Sequence, residues 1–201
     1  MKVGDLILVI IFSAVGGVFK VLGGVVFESK SVFVDAMTSI ATLVAAVLVA
    51  TYTRKSFAPA DADHPYGHDR YKYSSMVVTL IIYAFVLGLL TADIYGSAGR
   101  PYRVSLYASL MAALGMMFYA GAIVISRRSG SAGQLYAEYT AGELIEGATT
   151  ILSSLGGALL SYIIDFVGAV FLVSYFAFTT LKSSIELIEL IADRIEPSKL
   201  N

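Results

Sequence analysis

The chain is 201 residues long, 57% hydrophobic and 14% charged, with a mean hydropathy of +0.78 and a net charge of −1. A soluble domain is nearer half apolar and a quarter charged, so the composition predicts an integral membrane protein of helices, and no basic face marks a nucleic-acid binder. Cysteine is absent, which excludes disulfides and thiolate ligands and leaves oxygen and nitrogen donors for any metal.

The apolar excess is gathered into runs of about twenty residues, the length that crosses a bilayer core. Six spans are predicted, at about 6–27, 32–52, 75–95, 104–125, 135–163 and 166–191. They make an all-α membrane bundle and a single transmembrane domain over residues 1–201. The apolar stretch behind Met1 to Asp5 is longer than a signal-peptide core and lacks a small-x-small cleavage site, so it is expected to stay as the first span. Ionisable groups inside spans are costly and need a partner or water. Lys20 in the first span therefore calls for a counter-ion, either Asp35 of the second span or an acid of the fifth. Gly16-Gly17 and Gly23-Gly24 are expected to serve close helix packing.

A polar run, Asp61-Ala62-Asp63-His64-Pro65-Tyr66-Gly67-His68-Asp69-Arg70, separates the second and third spans and holds both histidines of the chain. Asp61, His64 and His68 recur at three and four residues, so one turn or helix start can aim them at one point. Two imidazoles and a carboxylate suit zinc or a similar first-row ion. Pro65 and Gly67 bend the backbone between them. An ordinary polar loop is the alternative, but two His and three Asp in so short a run favour metal.

Further along, Asp93 lies near the outer end of the third span, where hydration at the interface suffices. Glu143 and Glu146 lie in the first half of the fifth span; Glu146 is the deeper and the stronger functional candidate. Thr149, Thr150, Ser153 and Ser154 follow, and packing is their expected role. Asp165 stands at the junction of the fifth and sixth spans. Beyond Lys182 the sixth helix leaves the membrane with a charged face. Lys2, Arg54, Lys55, Arg70, Lys72, Arg127, Arg128, Arg194 and Lys199 flank one side, against Lys30, Arg100 and Arg103 on the other. The heavier side is cytoplasmic, which puts both termini and the histidine loop there, in a multi-pass protein of the cell membrane. No nucleophile elbow, His-Glu-x-x-His or phosphate loop is present, so no enzyme is expected.

Four segments resemble the cation diffusion facilitator (cation efflux) family of divalent-metal/proton antiporters. Ser29 to Ser39 resembles the start of its second helix, and His64-Pro65-Tyr66-Gly67-His68 its second-to-third helix loop. Glu146-Gly147-Ala148-Thr149-Thr150 resembles the Asp-x-x-Thr-Ser of its fifth helix, and Ile164 to Ala169 the entry to its sixth. The resemblance implies a six-helix cation-efflux bundle without the family's soluble C-terminal domain, a homodimer, and a divalent ion (zinc, manganese or iron) as substrate or ligand. The family's tetrahedral site uses pairs four residues apart on the second and fifth helices. By the flanking residues these fall on Thr38 and Thr42 and on Gly142 and Glu146; a shifted register would give Asp35 and Ser39. Only Glu146 keeps a charged ligand. Glu146 with Thr38, Thr42 and Glu143 makes an oxygen-only site, suited to a hard or partly hydrated ion. In the loop, Asp61, His64 and His68 match the family's cytoplasmic metal site, with Asp63 and Asp69 as further candidate ligands. Two functions are implied. One is export of a divalent cation from the cytoplasm against protons. The other is a non-transporting relative that binds metal at the His64/His68 loop and acts as a regulatory or dimer partner.

Overall fold

A segment in lipid must satisfy its own backbone N–H and C=O groups, and an apolar run of this length does so as a helix. The computed structural model describes residues 3–128 and 131–192, with 131–141 as backbone, and no strand occurs among them. In order come α1 (Val3–Val21) with a π-helical turn (Leu22–Val26), α2 (Lys30–Ser56), α3 (Tyr71–Ser97), α4 (Leu106–Arg127), α5 (Ser131–Leu159) and α6 (Tyr162–Ile191). Over their described residues α1 with its π turn, α2, α3, α4 and α6 are long and apolar enough to cross a membrane. The expected fifth span is a helix but is not among those five. Its described side chains include Glu143, Glu146, Thr149, Thr150, Ser153 and Ser154, which dilute its apolar character.

Side-chain caps set several boundaries. α5 ends and α6 begins earlier than expected because Leu160 N and Ser161 N both turn back onto Gly156 O, and Ser161 Oγ accepts from Ile163 N at 3.3 Å. Ser105 Oγ accepts from Tyr107 N and caps α4, two residues after the expected start at 104. Glu28, in the left-handed region at φ 57°, turns the chain out of the π segment into α2. There the orphan N–H groups of a helix start find acceptors. Ser29 Oγ takes Val32 N at 3.2 Å. The Asp165 carboxylate takes Lys30 N at 2.7 Å, Ser31 N at 3.4 Å, the Ser29 and Ser31 hydroxyls, and the Tyr102 hydroxyl at 2.9 Å. Asp165, at the start of α6, thus clasps the start of α2. Burial and this carboxylate push the Tyr102 phenol well above the usual tyrosine range. Asp93, expected to be hydrated, is partly exposed and also receives Lys30 Nζ at 2.8 Å.

The chain divides into two compact units, Met1–Ile40 with Leu89–Ser174, and Ala41–Gly88 with Tyr175–Asn201. In the first, α1 packs on α4 and α4 on α5. Val32, Val104, Ala108 and Ala112 form a buried core, with Phe27, Tyr102, Ile151, Ala158 and Tyr162 against it. Gly115 lets α1 come close to α4: a Cβ there would meet Lys20 Cγ at 2.8 Å and Gly16 O at 3.0 Å. In the second unit Ala41, Ala45, Val86 and Leu187 are buried, and Tyr83 packs on Phe176. Burial across the chain is the reverse of a soluble protein's. Small and polar side chains such as Ser13, Ser39, Ser126 and Ser154 are inside, while Val18, Ile81, Phe85, Phe171 and Leu181 are exposed. That pattern suits lipid, where apolar side chains gain nothing by hiding and small ones let helices approach.

Candidate functional site: two acidic clusters

The first cluster is built by the loop between α2 and α3. Asp61 Oδ1 accepts from the backbone N–H of Asp63 at 3.1 Å and of His64 at 2.7 Å, a local turn that short acidic side chains favour. His64 O then accepts from Gly67 N at 3.0 Å, a β-turn with Pro65 at its second position; Gly67 leaves it at φ 83°, a conformation natural to glycine. The turn brings the rings of His64 and His68 to 4.3 Å between centroids, with Tyr71 stacked on His68.

Both imidazoles face the Asp61 carboxylate, His64 Nδ1 at 3.2 Å from Oδ1 and His68 Nε2 at 3.3 Å from Oδ2. Donors about 2.0–2.1 Å from a tetrahedral ion lie about 3.3 Å from one another, so these separations suit a first-row cation. His68 Nδ1 lies 3.0 Å from Pro59 O. A proton on that nitrogen, donated to the carbonyl, leaves Nε2 as the ligating atom. The His64 backbone N–H, above all, holds the Asp61 carboxyl below the usual carboxylate range, so it is ionised and ready to ligate at neutral pH. Asp63 and Asp69 are exposed, and the group of mutually close ligand atoms is Asp61, His64 and His68 alone.

The second cluster lies inside the first unit. One ligand oxygen each from Asp35, Glu143 and Glu146 fall within 4.8 Å of one another. Asp35 comes from α2 and both glutamates from α5, three residues apart and so on one helix face. Lys20 of α1, fully buried, reaches into this group. Its Nζ donates to Asp35 Oδ1 at 2.7 Å, to Ser39 Oγ at 2.8 Å and to Glu143 Oε2 at 3.1 Å, and sits 4.3 Å from the Tyr119 ring centroid. Ser39 Oγ donates in turn to Glu143 Oε2 at 2.7 Å. Glu146 stands apart from the ammonium and receives Thr38 Oγ1 at 3.0 Å. Asp35 Oδ2 and the hydroxyl of Thr150 are both buried and lie beside each other, with no well-formed hydrogen bond to either.

The structure therefore draws Thr38, Glu143 and Glu146 together and adds Asp35, Ser39 and Lys20. Thr42, one turn further along α2, falls in the second unit; Gly142 brings no ligand atom. Lys20 has two counter-ions, Asp35 and Glu143, where the sequence posed them as alternatives. Asp35 falls outside the expected ligand set because flanking residues align the pair on Thr38 and Thr42. Its signal is spacing: Asp35, Thr38 and Ser39 lie three and four residues apart and share a face. As a donor set the cluster is all oxygen, which favours hard cations over zinc.

Known proteins resemble the chain over part of its length. The chain is 29% identical over 121 residues to magnetosome protein MamM of Magnetospirillum gryphiswaldense, an alignment covering 56% of this chain and 38% of that protein. It is 34% identical over 95 residues to the manganese efflux system protein MneP of Bacillus subtilis, covering 47% of this chain and 32% of the relative. With the uncharacterized transporter YdbO of the same organism the identity is 32% over 104 residues, 49% of this chain and 36% of YdbO. The chain thus spans about a third of the length of the curated relatives it matches. The family model for the cation efflux transmembrane domain matches residues 6–192, and with helices that suit a bilayer on this scale the chain belongs to the cation efflux family as a multi-pass membrane protein.

Proposed function

We propose that the chain carries a divalent metal cation across the cell membrane, exporting it from the cytoplasm in exchange for protons, as a homodimer. One observation carries this reading: Asp35, Glu143 and Glu146 converge within 4.8 Å inside a helical unit. Carboxylates this close in low dielectric repel strongly, and a cation or protons must offset them. Glu146 is held by a hydroxyl and not by the ammonium, so it is the acid that exchanges ion and proton. Asp61, His64 and His68, on the side richer in Lys and Arg, gather the ion before transport. Both termini share that cytoplasmic side. The imidazoles of the loop accept zinc, iron or manganese, whereas the buried oxygens select the harder ion. Manganese, the ion for which the relative MneP is named, is the first to test. In sealed vesicles holding the whole chain, Mn²⁺ flux is expected to fall to the empty-vesicle level with Glu146→Gln. Unchanged flux would remove Glu146 from the pathway.

Two ion pairs favour a second reading. Lys20 already pairs with Asp35 and Glu143, as it would in a bundle whose acids are permanently neutralised. Such a chain binds metal only at the loop and acts as a regulatory partner. One ion per chain, lost on His64→Ala and untouched by Glu146→Gln, marks that case.

A further inference from the structure

We infer that Lys20 is a tethered cation that fills the buried carboxylate site between transport events and withdraws when a divalent ion binds. The inference rests on the transport reading above. Three observations carry it. Lys20 Nζ contacts two of the three acids that form the buried ligand group, at 2.7 Å and 3.1 Å, so ammonium and metal compete for the same oxygens. The third acid, Glu146, is held by the Thr38 hydroxyl and not by the ammonium, which leaves one carboxyl of the group open to an incoming ion. Asp35 Oδ2 and Thr150 Oγ1, both buried, lie beside each other and neither makes a well-formed hydrogen bond while the ammonium is in place; two such oxygens beside a shared carboxylate are what an incoming cation would take up.

The physical need is plain. A carrier that alternates must also return without its cargo, and three acids stripped of a cation in low dielectric are costly. An ammonium on a four-carbon stem supplies one positive charge without having to diffuse in. The stem lies against Gly115, where a Cβ would meet Lys20 Cγ at 2.8 Å, and the Tyr119 ring, 4.3 Å from the ammonium, already shares its charge in the paired position. Tyr119 of α4, Ser39 and Asp35 of α2, and Glu143 of α5 face the ammonium, with Glu146 beyond them in the same group of acids.

The test uses the whole chain in lipid nanodiscs with His64→Ala and His68→Ala, so that only the buried site binds, and measures the Kd for Mn²⁺ at fixed pH. Replacing Lys20 with Met removes the competitor, and binding is expected to tighten about tenfold or more, the size of an ordinary coupling between ligands. Lys20→Gln, one atom shorter, is neutral and still carries two N–H donors, and it carries the same prediction if the Met variant fails to fold. Lys20→Arg, which keeps the charge, should not tighten binding. Unchanged or weaker binding in a folded Met or Gln variant, alongside a loss in Glu146→Gln, overturns the tethered cation and leaves the transport site standing. No Mn²⁺ binding in any variant, or binding indifferent to Glu146→Gln, overturns the site itself and the inference with it.

Discussion

Lys20 is the largest fully buried side chain among the described residues. A lone ammonium in that position would cost several kcal/mol, and its partners would cost as much without it. Lys20→Ala and Asp35→Asn should each destabilise the protein by about 3–5 kcal/mol. Combined, they should cost clearly less than their sum, since the second change removes a charge already orphaned by the first. Unfolding in mixed micelles, run as a double-mutant cycle, checks this; strict additivity would mean the pair is not coupled. Asp61 obeys a different rule because it is exposed. Its carboxyl is depressed in the folded loop, so its contribution to loop order is present above the unfolded value, about 4, and is lost as pH falls through the lower folded value. The His64 amide should therefore keep its protection, its exchange rate relative to an unfolded peptide at the same pH, at neutral and mildly acidic pH and lose it only in stronger acid. Slow exchange in an Asp61→Asn variant at neutral pH would count against the bond. The convergence of Asp61, His64 and His68 was legible because their spacing is local, at three and four residues. The buried cluster was legible only in part. Glu143 and Glu146 stand out as acids in an apolar run, but one sequence does not choose between the Thr38/Thr42 register of α2 and the shifted one of Asp35 and Ser39.

At the level of the helix, Asp165 holds the start of α2 from the start of α6. Asp165→Ala leaves Lys30 N, Ser31 N and the Tyr102 hydroxyl without their acceptor, and should cost about 2–4 kcal/mol by lost capping and buried unpaired donors. Asp165→Asn, which keeps the shape and one oxygen, should cost less. Denaturant midpoints for the two variants decide it; equal losses would mean the charge, not the acceptors, matters. Helix existence was legible from apolar length alone. Helix ends were not, because Ser105 and Ser161 stop and start helices through single hydroxyl contacts that leave little trace in a hydropathy pattern. Likewise the acids and hydroxyls of α5 lower its apolar content without preventing a helix.

For the molecule as a whole, the reversed burial pattern was predictable from composition: 57% hydrophobic residues in long runs have to face something other than water. What composition cannot carry is chain register, and here the π-helical turn Leu22–Val26 matters. Phe27 N reaches back to Leu22 O at 3.2 Å, a five-residue step in place of four. Such a turn holds one residue more than an α-helix would. A single-residue deletion here returns the turn to the four-residue step and leaves its flanks nearly in register, whereas the same deletion inside a regular α-helix swings everything before it by about 100° relative to everything after. Leu22–Val26 is therefore the stretch at which this part of the chain can lose a residue with the ammonium upstream and the clasp downstream still on their partners.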